Sequence, residues 1–241
     1  MIEGAIMNPR RIARIVGALF IVATAASMIG SLVFTKPILD DPNYLVKLSE
    51  SHNRVLTGSL LSIIAAFASA GIAIGLYPML RKHGEGLALG SVVFRAIEGV
   101  SYSAGAVINL SLLSLSQEFV KANDAPYFQA MGSSLLSAHD WIANVLGVSA
   151  FSVGGFLYYI VFYKSRLIPR WLSLWGIIAI VSVFSSALLV MFSVIPALGA
   201  VQAIMAAPIG LQEMVLAIWL IVRGFNQSVD PEPVNVQTAS G

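Results

Sequence analysis

The 241-residue chain contains no cysteine, and only 11% of its residues are charged. Without cysteine, disulfide bonds, thiolate nucleophiles and cysteine-ligated metals or clusters are excluded. Soluble domains carry about 25% charged residues, so this scarcity of charge, beside a hydrophobic fraction of 57%, is typical of an integral membrane protein. The net charge of +2 is too small to indicate nucleic acid, and we expect the lipid bilayer to be the main partner.

Six apolar segments each reach the roughly 20 residues that a helix needs to cross a bilayer. They are apolar on all faces, unlike barrel strands, and helices satisfy their own backbone hydrogen bonds in lipid. We therefore predict an all-α, six-helix bundle that forms one transmembrane domain over residues 1–227, followed by a disordered polar tail over residues 228–241. The predicted spans are Ile12–Phe34, Leu56–Met79, Leu87–Leu115, Trp141–Tyr163, Trp171–Ile195 and Val201–Val222.

Lys and Arg are distributed unevenly between the two sides of these spans. If the N-terminus is cytoplasmic, nine basic residues lie on the cytoplasmic side and four on the outer side. The positive-inside rule then predicts that both termini are cytoplasmic, in a multi-pass protein of the plasma membrane. The nine residues are Arg10, Arg11, Arg14, Arg81, Lys82, Lys164, Arg166, Arg170 and Arg223.

The two longer outer loops carry signals that begin helices. Asp41-Pro42 and Asp124-Ala125-Pro126 each place an acid suited to an N-cap before a proline suited to the first turn. We expect short amphipathic helices on the outer leaflet at both places, or, for the second, an outward extension of the fourth span.

Three ionisable residues lie inside the apolar segments, where charge is costly and usually paired or functional. Arg95 and Glu98 lie in the third segment, roughly 12 and 16 Å from its cytoplasmic edge, and Glu213 lies roughly 14 Å into the sixth. A spacing of three residues places Arg95 and Glu98 on one helix face, where they can pair. Glu213 could approach the same guanidinium.

This charged cluster permits three interpretations. It locks helices together, it binds a small ligand or a proton in a carrier, or it serves an intramembrane enzyme with Glu213 or His139 as acid or base. Pro208 favours the carrier slightly, because a proline in a membrane helix frees a backbone carbonyl. The enzyme has the least support, since no nucleophile–base pair, metal-ligand set or cofactor motif is visible.

A second group of polar residues lies at the outer end of the fourth span. His139 could shuttle protons or bind a metal, Asp140 follows it, and Asn144 lies one turn further in. A metal site usually needs three or four ligands, and only one histidine is near the membrane, so we predict no metal. An interfacial histidine beside the acid that begins a helix is the simpler interpretation.

Four stretches of the sequence together resemble the DUF4386 family over about residues 7–227. They are Asn8 to Gly17, Phe94-Arg95-Ala96-Ile97-Glu98, Leu167 to Leu172, and Glu213 to Phe225. The resemblance implies a six-helix bacterial or archaeal membrane protein that carries Arg95, His139 and Glu213 at typical positions. It implies no substrate, cofactor or reaction.

Overall fold

The computed structural model describes residues 8–122 and 126–226 and contains no strand within them. Two π-helical segments, Ile29–Thr35 and Asp140–Gly147, join α1 to α2 and α5 to α6 without interrupting the rod. The helices are α1 (Pro9–Met28), α2 (Lys36–Leu39), α3 (Tyr44–Glu50), α4 (His52–Lys121), α5 (Pro126–His139), α6 (Val148–Ser165), α7 (Arg170–Met191) and α8 (Ala200–Val222).

Five continuous helices of the described chain are long and apolar enough to cross a membrane. They confirm the predicted all-helical membrane architecture, but the six predicted spans do not appear as six separate rods. The segments predicted at Leu56–Met79 and Leu87–Leu115 both fall within α4, which has 70 residues. The five are Pro9–Leu39, His52–Lys121, Pro126–Ser165, Arg170–Met191 and Ala200–Val222.

The long helix α4 bends at Gly84, whose backbone leaves helical geometry (φ 167°, ψ 84°). Residues on either side of the bend meet again far along the chain: Ser69 hydrogen-bonds Glu98 at 2.8 Å, and Gln117 lies 3.2 Å from His52 Nδ1. Each pair is nearly symmetric about Gly84. Residues 52–83 and 85–121 are therefore two antiparallel halves that pack side by side.

The helices form a closed ring in which each packs on its neighbours in the sequence. The first half of α4 lies against α1, the second half against α6, α6 against α7, and α7 against α8. The last helix α8 returns to α1, where a Cβ on Gly17 would lie 2.7 Å from the carbonyl oxygen of Ala217. Glycines allow such close approach of membrane helices, which pack without hydrophobic drive.

Contacts between distant residues define the two ends of the bundle. At one end, which we call the Gly84 end, Asn226 donates to the carbonyl oxygen of Leu167 at 2.8 Å, and Phe225 packs against Phe162. At the other, the Lys121 end, α3 and α5 cover the tips of the α4 hairpin. There a core of eight buried residues forms from Ile38, Leu45, Leu48, Val55, Leu112, Leu113, Phe119 and Phe128.

Several helix boundaries differ from the prediction. The fifth span ends at Met191, before Ile195, because Ser193 adopts a positive φ (56°) that no helix continues. Asp41 accepts from the backbone of Asn43 at 2.8 Å, and α3 begins only at Tyr44, so Asp41 is not the N-cap. The fourth span extends toward the N-terminus as far as Pro126, in the continuous helix Pro126–Ser165, which is the second of the two alternatives predicted there. Asp124 and the predicted tail, residues 228–241, lie outside the described residues.

Candidate functional site

Arg95 and Glu98 form an ion pair in the second half of α4. The distance from Arg95 Nη1 to Glu98 Oε2 is 3.1 Å, and both side chains are almost completely buried, at 2% and 3% exposure. Ser69, on the first half of α4, donates to Glu98 Oε1 at 2.8 Å. The predicted pairing of Arg95 with Glu98 is present. The hydroxyl of Ser69, on the other half of α4, satisfies the second carboxylate oxygen of Glu98.

Helix α6 supplies the other wall around Arg95. The guanidinium lies over the ring of Phe151, 4.8 Å from its centroid, which is a favourable cation–π geometry. One turn further along, Gly154 lets the stem of Arg95 pass: a Cβ there would lie 3.0 Å from Arg95 Cγ and 3.2 Å from its backbone nitrogen. The arginine is thus packed between an aromatic face and a glycine.

Glu213 lies on α8 and is 7% exposed. Thr24 of α1 donates to its Oε2 at 3.3 Å. Among the described residues no basic side chain lies within 4.0 Å of this carboxylate, so the approach of Glu213 to Arg95 that the sequence suggested is not a direct ion pair. Helix α1 packs on both α8 and the first half of α4, and it thereby places Thr24 beside Glu213.

Several buried polar atoms of this layer have no hydrogen-bond partner in the described part of the chain. They include the acceptors Glu213 Oε1 and Glu98 Oε2, and the donors Arg95 Nε and Nη1. The ion pair itself is therefore close but not aligned as a hydrogen bond. Because buried polar groups are normally satisfied, a set of unmatched donors and acceptors in one layer is suited to holding a small polar species.

Beside Glu213, Gln212 links three helices. It is fully buried, accepts from the Tyr159 hydroxyl of α6, and donates to the carbonyl oxygen of Leu172 in α7 at 3.0 Å. This network is satisfied and fixes α8 in its rotation about the helix axis. Glu213 is therefore held at its position by its neighbour in the sequence.

His139, Asp140 and Asn144 form a separate group toward the Lys121 end. Asn144 donates to Asp140 Oδ1 at 2.9 Å, and His139 Nδ1 lies 3.6 Å from the same oxygen. Asp140 and Trp141 line a pocket of about 440 Å³ between this π-helical segment and Val190–Ala197. No residue of the charged cluster (Arg95, Glu98 and Glu213) lines that pocket. No group of three potential metal ligands occurs in the described part of the chain.

The sequence did not indicate four residues that contact or support the charged side chains. They are Thr24, Ser69, Phe151 and Gln212. Hydroxyls and amides are frequent in membrane helices, so their presence alone carries no signal. Only their arrangement around the carboxylates distinguishes them, and that depends on which helices are neighbours.

Comparison with known proteins gives one match that covers most of the chain. Residues 15–224 match the family described as domain of unknown function (DUF4386). The chain belongs to the DUF4386 family. The resemblance predicted from the sequence is thereby confirmed, and the matched region contains every member of the charged cluster. No curated protein and no solved structure matched the chain.

Proposed function

We propose that this DUF4386 protein crosses the plasma membrane of a bacterium or archaeon six times, with both termini in the cytoplasm. A straight helix of 70 residues would extend about 105 Å, more than three times the hydrocarbon thickness, so α4 has to cross twice. The antiparallel halves and the bend at Gly84 support two crossings. The basic residues concentrated at the Gly84 end support a cytoplasmic location for that end.

We further propose that Arg95, Glu98 and Glu213 line an interior polar site for a proton or a small cation, and that the protein is a small-solute or proton-coupled carrier. The observation that carries this proposal is Glu213: a buried carboxylate with no basic partner within 4.0 Å and with Oε1 unmatched among the described residues. A purely structural cluster would pair its charges. One guanidinium cannot compensate two carboxylates, so an ionised cluster has an excess negative charge that attracts a cation.

The structural interpretation has support of its own at Arg95. This residue is paired with Glu98, stacked on Phe151 and enclosed by Gly154, as expected of a side chain that holds helices together. The two interpretations therefore divide the cluster: Arg95 and Glu98 stabilise the fold, and Glu213 is retained for its charge.

The experiment compares Glu213→Gln with wild type by thermal unfolding in detergent, across sodium, potassium and choline chloride at constant ionic strength and across pH. A ligand that binds only the folded state stabilises it by about 2.7 kcal/mol at 100 times its Kd. We expect wild type to be stabilised by protons, sodium or potassium relative to choline, and the variant to lose that response. Glu118→Gln, which alters a carboxylate 61% exposed, is the matched control and should keep it.

Two results would overturn the carrier proposal. The first is an unchanged response to every cation and to pH in Glu213→Gln. The second is a loss of several kcal/mol of stability in choline alone, since a carboxylate without a basic partner should not cost that much to neutralise.

A further inference from the structure

Buried apolar cores lie on both sides of the Arg95–Glu98 pair, and the core of eight residues at the Lys121 end is the smaller of the two. Toward the Gly84 end the bundle interior is filled with large side chains that exclude solvent almost completely. Nine of the twelve largest fully buried residues lie there: Phe20, Ile72, Leu76, Leu80, Tyr158, Tyr159, Phe162, Ile168 and Leu172. They belong to one contiguous apolar cluster to which α1, both halves of α4, α6, α7 and α8 all contribute. Such a core is packed as densely as an organic crystal and leaves no route for water.

Toward the Lys121 end, a series of polar side chains follows the contact between the π-helical segment Asp140–Gly147 and the second half of α4. Asp140 is 48% exposed at the pocket described above, and it accepts from the buried Asn144 one turn deeper. One further turn in, Gly147 brings Ser101 close: a Cβ on this glycine would lie 3.3 Å from Ser101 Cβ. Ser101 is three residues from Glu98 on the same helix face.

The chemistry of this series favours positive charge. A carboxylate stands at its mouth, and two carboxylates with one guanidinium stand at its inner end. The amide of Asn144 and the hydroxyl of Ser101 behind that carboxylate offer oxygen atoms at successive depths. Hard monovalent cations and protons are transferred between such oxygens.

We propose that protons and small monovalent cations reach the charged cluster from the Lys121 end, along the groove lined by Asp140, Asn144 and Ser101. The apolar core closes the Gly84 end. This inference rests on the proposed function, because it assumes that the cluster receives a ligand, and it adds the ligand class and the direction of access.

Two serines of α4 provide a matched test. Ser91 and Ser101 flank the ion pair, are 0% and 3% exposed, and both donate to a carbonyl of their own helix. The natural chain has no cysteine, so Ser91→Cys and Ser101→Cys each introduce a single, nearly isosteric thiol. Silver ion, a small monovalent cation that binds thiolates, is applied to oriented membrane vesicles. The thiols that remain are counted with a maleimide after denaturation.

We expect silver to block Ser101→Cys at least about tenfold faster than Ser91→Cys, because a thiolate forms and reacts only where water reaches it. The faster reaction should occur when silver is added on the Lys121 side. Leu146→Cys is the lipid control. Its native side chain is 51% exposed on the outer surface of the bundle, where Leu146 and Ser101 line the same apolar pocket, so silver that arrives through the lipid would reach both thiols. If silver arrives along the polar groove instead, the thiol of Leu146→Cys should react more slowly than that of Ser101→Cys.

The inference is overturned if silver blocks the two thiols at equal rates, or if it blocks Ser91→Cys faster than Ser101→Cys. If Ser101→Cys does not purify as a single folded species, Asn144→Cys carries the same comparison nearer the mouth. Failure of the proposed function is distinguishable: Ser101→Cys would still react selectively from the Lys121 side, while Glu213→Gln would leave cation and pH responses unchanged.

Discussion

At the scale of single residues, Arg95 is the side chain whose removal should cost the most stability. Arg95→Met keeps an unbranched stem between Phe151 and Gly154 but leaves the carboxylate of Glu98 buried without its cation. Breaking a buried pair in this way typically costs about 3–5 kcal/mol. Thermal unfolding of the purified variant in detergent measures the loss.

The control for this prediction is Lys121→Met, which breaks an ion pair of similar length with Glu118 at the surface of the bundle. Both of its side chains are more than 60% exposed, and exposed pairs contribute about 0–1 kcal/mol. Similar losses for the two variants would show that the interior pair is no more tightly coupled than a surface pair. The double variant Arg95→Met with Glu98→Gln should recover part of the loss.

The contrast between Glu98 and Thr24 shows what sequence can predict at this scale. The pairing of Arg95 with Glu98 follows from helical geometry alone, because both lie on one helix three residues apart. The bond from Thr24 to Glu213 joins residues 189 positions apart, and nothing local indicates it. The depth of Glu213 was predictable from its distance to the helix end, but its neighbours were not, because they depend on the order of helices around the ring.

At the scale of helices, the absence of a side chain at Gly154 allows α6 to approach α4 closely. We predict that Gly154→Ala destabilises the protein by about 1–3 kcal/mol, the usual cost of forcing an extra methyl group into a packed interface. The methyl group would lie 3.2 Å from the backbone nitrogen of Arg95, so the helix itself has to shift. Thermal unfolding in detergent measures the loss.

The same substitution at Gly210 of α8 is the matched comparison. A Cβ there meets nothing within 4 Å, and alanine is a better helix former, so Gly210→Ala should be neutral or stabilise by up to about 1 kcal/mol. Equal effects of the two changes would mean that the close approach at Gly154 does not determine the packing of α6.

The pattern of apolar residues predicted where the helices lie, but not where their geometry is irregular. The cores of all six predicted segments lie within helices, since length and hydropathy determine them. The π-helical segments Ile29–Thr35 and Asp140–Gly147 were not predictable, because a π turn inserts one residue without changing composition. Likewise the bend at Gly84 falls in a polar stretch that sequence reasoning treated as a loop. Because the two halves of α4 pack against each other, the chain remains helical almost as far as Gly84 on both sides.

At the scale of the whole molecule, the closed ring explains how three charges are kept from lipid. Each helix has two neighbours, and the faces of α4 and α8 that carry charge are covered by α6 and α1. A carboxylate on an open face would contact hydrocarbon, where it costs several kcal/mol. The residues that face outward are instead large and apolar, such as Phe67, Val100 and Ile204, each at least 70% exposed.

The ring also makes the topology testable, because the two ends of a bundle that spans the membrane lie on opposite sides, and an even number of crossings brings both termini to the same end. We predict that single cysteines at His83 and Lys164, near the Gly84 end, react with a membrane-impermeant maleimide only after the cells are opened. Cysteines at Asn43 and Glu118, at the Lys121 end, should react on intact cells. All four positions are exposed. If α4 crossed only once, His83 would lie within the membrane and its cysteine would stay unlabelled in both preparations. Lys164 would then share the side of Asn43 and react on intact cells, and Glu118 would react only after the cells are opened. If the positive-inside assignment were wrong, the labelling of all four would be reversed, and the six crossings would stand with the opposite orientation.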